Sequence, residues 1–367
     1  MLALRRRLNM QPYNIEIFDT SFNLIQHYNS GVIDYKFDYL STVENSVLIE
    51  FNDNVKKGDY IRLVNDTDDY FGYITAIQVN ETVQGFSEIR FKPFISLFDS
   101  SILFDTTLQG SGTSLEQAIA NYITAYWISN SDASQNIYGL TVSVISVTSG
   151  WTFHITPDVS GLTKAIVNFM SSIVRRALTK YQVGLYVTPD FQNKAINVAI
   201  GIKDASTFNI EADLPSVMEK SIILNETTED TNKLVIYDQA DLATTIVYYK
   251  HPDGSYNTSN TDRIVPVKYA MTSVAVASGD TFAHAAQDAA NKQFDVDSYN
   301  NLIELTVQND DALVNPQNIS IGQAVNVITN GTSYTSILTG IERSNKTKLT
   351  FGSIRLDLTK ILKGGGI

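Results

Sequence analysis

Residues Lys56–Asn80 read KKGDYIRLVNDTDDYFGYITAIQVN, and residues Ser320–Ser344 read SIGQAVNVITNGTSYTSILTGIERS. The second superposes on the first without a gap at an offset of 264 (320 − 56). Gly58 falls on Gly322, Tyr70 on Tyr334, Thr75 on Thr339 and Ile77 on Ile341. Ile61 meets Val325, Leu63 meets Val327, Val64 meets Ile328 and Ile74 meets Leu338. The letters agree at only four positions, but the physical pattern agrees throughout. Each copy opens on a glycine, where a backbone bend costs least, and continues as a short apolar strand. A polar turn of Asn, Asp, Thr, Ser or Gly follows, then a second strand led by Tyr. Ser46–Phe51 (SVLIEF) precedes the first copy as Leu302–Val307 (LIELTV) precedes the second, and Ile89–Phe91 and Leu349–Phe351 follow. The spacing predicts one β-barrel-like module used twice.

The chain has 367 residues, 43% hydrophobic and 18% charged, so it is globular and long enough for two to four domains. Its net charge of −12 argues against binding phosphate backbones by counterion release. The absence of cysteine excludes disulfides, thiolate metal sites and cysteine nucleophiles. No run approaches the roughly 18–20 apolar residues of a membrane span. Arg5–Arg7 precede no apolar run, so the start reads as a solvated or docking arm rather than a secretory signal. A soluble protein made in the cytoplasm is expected. The 19 Tyr and 17 Phe fit a β-core and extensive subunit contacts.

Around the repeat, Tyr13–Phe18, Phe22–Tyr28 and Val32–Tyr39 alternate as half-buried strands. After Gly110-Ser-Gly112 the pattern turns helical. Ser114, three residues before Gln117, forms a capping box, and Leu115, Ile119, Tyr122 and Tyr126 share one face. Strands are expected at Leu140–Val147 and Trp151–Ile155. A second helix is expected over Gly161–Tyr181, with Leu162, Ile166, Phe169, Ile173, Ala177 and Tyr181 as its stripe. A hairpin around Pro189-Asp190 follows, then strands at Lys233–Tyr237, Thr244–Tyr249 and Ile264–Tyr269. A third helix is expected over Asp280–Phe294, with Asp280 as N-cap, and a final extension over Arg355–Leu362 before a flexible Gly364–Gly366. The units are therefore a first β-barrel domain over 1–105 and an inserted α+β domain over 106–218. A second barrel takes 219–262 and 301–367, and a small one-helix domain is inserted at 263–300.

His27, His154, His251 and His284 are scattered and form no metal-ligand pattern. Asn65–Asp69 begins like a calcium loop, but Phe71 and Ile77 stand where its Gly and Glu belong. The equivalent turn, Thr329–Ser333, has no carboxylate, so turn chemistry explains both. Asp295 and Asp297 read as a polar boundary. Gly110-Ser-Gly112 lacks a preceding βαβ unit and reads as a linker rather than a phosphate cradle. Neither GxxxxGK[ST], GxGxxG nor GxSxG occurs. No catalytic, cofactor-binding or metal residue is assigned, and no cofactor is expected. Paired carboxylates of a glycosidase leave no fixed spacing and stay formally open.

YNIEIFDTSFNLIQ followed by DYKFDYLSTVENSVLIEF resembles the opening of the tail-associated (Tal) proteins of siphophages of Gram-positive bacteria. The overall plan is similar to the baseplate hub proteins of tailed phages, including the hub of contractile tails. The resemblance implies a mainly β, multidomain chain with α+β insertions, forming a homotrimer at the virion tail tip. Six barrels would then make a pseudo-sixfold ring matching a hexameric tail tube to a threefold tip. Implied partners are the distal tail protein hexamer, the tape measure protein and receptor-binding proteins, with viral DNA passing through unbound. The expected role is structural and non-enzymatic: closing or gating the DNA channel until host contact. Two alternatives are a carboxylate-based cell-wall or polysaccharide hydrolase and a saccharide-binding adhesin, which the Tyr and Trp content permits, although Trp127 and Trp151 fit a core role at least as well.

Overall fold

The computed structural model describes residues 13–31, 35–38, 44–50, 52–65, 69–79, 85–155, 157, 162–223, 231–276, 278–294, 299, 301–309, 314, 319–344 and 346–352. The arm at Arg5–Arg7, the centre of the Asn65–Asp69 turn, the Asp295–Asp297 boundary, the Arg355–Leu362 extension and Gly364–Gly366 lie outside these residues. The fold is mainly β, with two rolled sheets. No helix among the described residues is long and apolar enough to cross a membrane.

The first sheet is built from β1 (Tyr13–Phe18), β2 (Leu24–Gly31), β4 (Asn45–Glu50), β5 (Tyr60–Val64), β6 (Asp69–Val79) and β7 (Phe86–Pro93), while β3 (Tyr35–Asp38) leaves it. Their order is β2-β1-β5-β6-β7-β4. Alternation does what period two requires. In β4 the side chains of Asn45, Val47 and Ile49 are buried, and Ser46, Leu48 and Glu50 face out. Ile15, Ile17, Val47, Ile49, Ile61, Leu63, Ile74, Ile89 and Phe91 fill the space inside.

The inserted unit follows. It contains β8 (Ser101–Asp105), α1 (Leu115–Ile123), β9 (Leu140–Val144), β10 (Lys164–Asn168), α2 (Arg175–Tyr181), β11 (Gly184–Asp190) and β12 (Ala195–Gly201). β8 pairs with β10, and β9 runs parallel to β12 in the sheet β11-β12-β9. Ser114 accepts from the Gln117 N–H at 3.2 Å, but Gln117 turns to Asn121, so only half of the capping box forms. The helix expected over Gly161–Tyr181 starts late. Lys164–Asn168 pairs with β8, leaving Ile166 76% exposed, and Asn168 caps the helical segment from Phe169 by accepting from the Ser171 N–H. Ile166 and Val167 are β-branched and suit the strand, while Asn168 supplies the stop and start. Trp151–Ile155 is not a strand. Its N–H groups go to side chains instead, Thr152 to the Tyr181 hydroxyl and Phe153 and Ile155 to Gln109 Oε1.

The second rolled sheet takes β13 (Phe208–Glu211) and β14 (Val217–Ile223) before the small unit. That unit has β15 (Lys233–Asp238), β16 (Thr245–Lys250), β17 (Tyr256–Asn257), β18 (Tyr269–Val274) and α3 (Phe282–Phe294). The sheet then resumes with β19 (Leu302–Val307), β20 (Ala324–Thr329), β21 (Thr332–Arg343) and β22 (Thr347–Phe351), in the order β13-β20-β21-β22-β19-β14. Here strand pairing departs from the expected division at 219–262 and 263–300. β15 and β16 join the small sheet, because Leu234, Ile236 and Tyr248 bury against Ala286, Ala290 and Phe294 of α3. At the other end of the inserted unit, β13 pairs with β20 although it lies within 106–218. Likewise β8, placed in the first barrel, pairs inside the inserted unit. The strand expected at Ile264–Tyr269 begins at Tyr269, since Pro266 has no N–H for a ladder. Thr281, not Asp280, caps α3 by accepting from the His284 N–H.

Candidate functional site: the paired barrels and their junction

The two copies agree bond by bond. Gly58 (φ 96°) and Gly322 (φ 83°) occupy the same positive-φ bend, which a Cβ would strain. The Gly58 N–H donates to the Ile74 carbonyl at 2.9 Å, and the Gly322 N–H to the Leu338 carbonyl at 2.8 Å. Lys56 N–H donates to Asp59 Oδ2 across the bend, as Ser320 N–H does to Gln323 Oε1. Tyr60 stands opposite Tyr73, and at the same offset Ala324 stands opposite Ile337. The ladder from β6 to β7 slips between Ile74 and Ala76, and that from β21 to β22 between Leu338 and Gly340. The extra residue is Thr75 in one and Thr339 in the other, so one of the four identities marks a shared bulge. The core pairs Ile61/Val325, Leu63/Val327, Ile74/Leu338, Ile89/Leu349 and Phe91/Phe351 are buried in both barrels.

The copies differ at the seam where each sheet meets itself. In the first, β2 pairs with β1, and its Tyr28 hydroxyl donates to the Glu50 carbonyl at the end of β4. Asn52 and Gln26 join across the same gap. In the second, β14 pairs with β19, and its Lys220 reaches Asp213, which follows β13. Thr329 Oγ1 also donates to Asp213 at 2.6 Å. The seam has moved by one strand. These ties hold the Asp213 carboxyl at about 2, well below its ordinary range, first through Lys220 and then Thr329. Its contribution is therefore full above the ordinary carboxylate range and lost as pH falls toward 2. Acidification from pH 5 to 2 is expected to lower the protection of the β13 and β14 amides, measured against the intrinsic exchange rate at each pH, and Asp213→Asn to flatten that response. An unchanged acid response in Asp213→Asn would disprove the assignment.

Two connections lock the barrels to one another. β3, drawn from the first, runs antiparallel along β21 of the second, with Phe37 opposite Ile341 and Lys36 opposite Glu342. Lys36 and Glu342 form an ion pair at 2.9 Å, and Asn45 of β4 holds the Lys36 backbone from the first barrel. The inserted unit clasps both. Phe191 stacks on Phe18 at 4.4 Å and lies under the Arg62 guanidinium at 4.9 Å. On the other side, Gln182 donates to the carbonyls of Asp204 and Gly322, and Gln323 donates to Asp204 Oδ2. Burial in this junction pushes the phenols of Tyr60 and Tyr186 up to about 12.

The histidines sit in different elements. His27 is on the exposed face of β2, His154 is at a positive φ of 51°, His251 is buried at a turn, and His284 pairs with Asp280 at 2.9 Å. Among the described residues no group of three His, Asp or Glu side chains is placed to hold a metal ion. Trp127 and Trp151 are core residues at 8% and 0% exposure, and Trp151 Nε1 donates to the Thr113 carbonyl. Gly110-Ser-Gly112 lies at the surface before α1, and Ser111 Oγ is turned back to Leu108. Sequence reasoning missed Gln182, Tyr186, Lys203 and Arg343, which meet at the junction from separate elements and belong to no motif.

No protein-family model and no curated protein sequence matches the chain. Solved structures do share its fold. A chain of the phage P2 baseplate in its activated conformation with Ca superposes with a TM-score of 0.55 at 11% identity, over 92% of this chain and 98% of that one. A chain in a topological model of the p2 virion baseplate, also activated, gives 0.55 at 11% identity over 94% and 100%. A tail protein from Neisseria meningitidis MC58 gives 0.48 at 14% identity over 94% and 97%. The chain therefore has the fold of phage baseplate proteins, spanned almost end to end.

Proposed function

We propose that the protein is a structural hub of a phage tail tip or baseplate. Three copies form a ring, so that six near-equivalent barrels face a hexameric tail tube while the opposite side is threefold. The single observation that carries this reading is the repetition of bend, register and bulge at one constant offset in two barrels of one chain. A closed ring needs each contact surface to recur about its axis, and a duplicated barrel supplies six from three chains. The division into a first barrel, an inserted α+β unit, a second barrel and a small inserted unit belongs to this reading. So do the distal tail protein, the tape measure protein and receptor-binding proteins as neighbours, a place in the virion, and a channel gated by movement of these units without catalysis. The net charge of −12 lets DNA pass without sticking.

Light scattering on the purified chain, with electron microscopy of negatively stained particles, tests the reading. Three chains per particle and a six-lobed ring are expected. A monomer that persists at high concentration and shows no ring would overturn it.

A further inference from the structure

One edge of the small unit stands uncovered among the described residues. Its sheet runs β17-β16-β15-β18, and β18 pairs only with β15. The carbonyls of Lys268 and Val274 accept from the N–H groups of Lys233 and Gln239. In this parallel ladder the even residues therefore turn their main chain to β15. Tyr269, Met271 and Ser273 turn theirs outward, where no strand or side chain meets them among the described residues. Their side chains lie on the face away from α3, because Ala270 and Val274 pack toward it. Tyr269 is 60% exposed and Met271 58%.

Elsewhere the chain closes or shortens its edges. The hydroxyls of Tyr126 and Tyr122 accept from the outward N–H groups of Leu103 and Asp105 on β8, at 2.8 and 2.7 Å. β17, on the far side of the small sheet, has two residues. β18 has six in unbroken register, with no charge and no proline. An edge of this kind is a template for another strand, whose main chain supplies the matching donors and acceptors.

Charge on the outer face says which strand. Tyr249, Lys233 and Tyr269 form one cross-strand row. The Lys233 ammonium and the Arg263 guanidinium stand over the Tyr249 ring, 5.8 and 5.7 Å from its centre, and neither forms an ion pair among the described residues. No outward residue of β15, β16 or β18 is acidic. A glutamate beside Tyr269 and the long side chain of Lys233 together bridge two strand spacings, roughly 10 Å.

We infer that β18 is a docking edge for an extended acidic segment of another protein. The segment adds antiparallel to β18, with an apolar residue beside Met271 and a carboxylate reaching Lys233 and Arg263. The edge goes beyond the hub reading and does not depend on it, since it belongs to one chain.

Fluorescence anisotropy with a labelled peptide, acetyl-TVTVTET-amide, tests the edge on the full chain. One peptide per chain is expected, with its valines beside Ser273 and Met271 and its glutamate beside Tyr269. N-methylation of the two valines removes N–H groups aimed at β18 and should abolish binding, while N-methylation of the threonine between them should change it less than threefold. Replacing the glutamate by lysine should weaken binding about tenfold, and Lys233→Glu should reverse that preference. Met271→Pro removes only an outward N–H, a place where an edge strand tolerates proline, and should also abolish binding. If that variant loosens the small unit, the N-methylated peptides decide the matter on the wild-type chain. Equal binding of the two N-methylated forms, a charge preference that Lys233→Glu leaves unchanged, or no binding to the folded wild-type chain would overturn the inference. So would protection of the β18 amides that rises with chain concentration without peptide, which would make the occupant a second copy.

Discussion

Phe351→Ala is expected to destabilise the second barrel by about 3–5 kcal/mol, and Phe91→Ala to do the same to the first. Both rings are fully buried and stand at the same place in the two ladders. Phe91 lies opposite Ile74 on one side and Asn45 on the other, and Phe351 opposite Leu338 and Ile303. Phe91 also meets Tyr70 edge to face at 5.6 Å, which places its loss toward the upper end. The two barrels have separate cores, so the damage should be local. Hydrogen exchange read by mass spectrometry should show β4–β7 loosened in Phe91→Ala with β19–β22 still protected, and the reverse in Phe351→Ala. Some response in β21 is expected from either variant, because β3 pairs with it. If both variants loosened the same amides equally, the barrels would share one core and the duplication would have no energetic meaning.

The repeat was legible because its determinants are local. A positive-φ glycine, two alternating apolar residues and a bulge at threonine fall within one short stretch, and none depends on a distant partner. What was not legible depends on partners far along the chain. That β2 bonds to β1 while β14 bonds to β19 follows from which edges meet after rolling, and β-strand sequence alone carries no label for its neighbour. β3 alternates like any strand of the first barrel, yet its ladder is in the second. The same limit misassigned β15 and β16, whose apolar residues suit either sheet until α3 is placed against them. In the second helix, the stripe through Leu162 and Ile166 has helical spacing, and pairing with β8 overrides it. The junction fared worst, since Gln182, Tyr186, Lys203 and Arg343 are ordinary residues made special only by their meeting.

A buried carboxylate offers the sharpest separation of a structural reading from a hydrolytic one. Glu116, in the first turn of α1, has no solvent exposure. It accepts from Ser146 Oγ at 2.7 Å, from the Thr148 N–H at 2.8 Å and from Thr148 Oγ1 at 2.9 Å. Ser146 in turn accepts from the Ile202 N–H at 2.9 Å, so the carboxylate ties the start of α1 to the segments following β9 and β12. Every contact is a donor aimed at a fixed acceptor, the arrangement of a clamp and not of a group that exchanges protons with a substrate. Glu116→Ala strands the Thr148 N–H, which cannot turn elsewhere, and costs about 3 kcal/mol or more. Glu116→Gln keeps the shape and one acceptor for that N–H, and the two hydroxyls can rotate to meet the new amide, so about 1 kcal/mol is expected. Urea unfolding followed through Trp127 and Trp151 fluorescence reads both values. A catalytic carboxylate would give the opposite signature: Glu116→Gln would leave stability nearly untouched and abolish release of fragments from host cell walls. Such a result would replace the hub with an enzyme. An ordered loss of stability, Ala well beyond Gln, with no fragments released by the wild-type chain, is what the clamp requires.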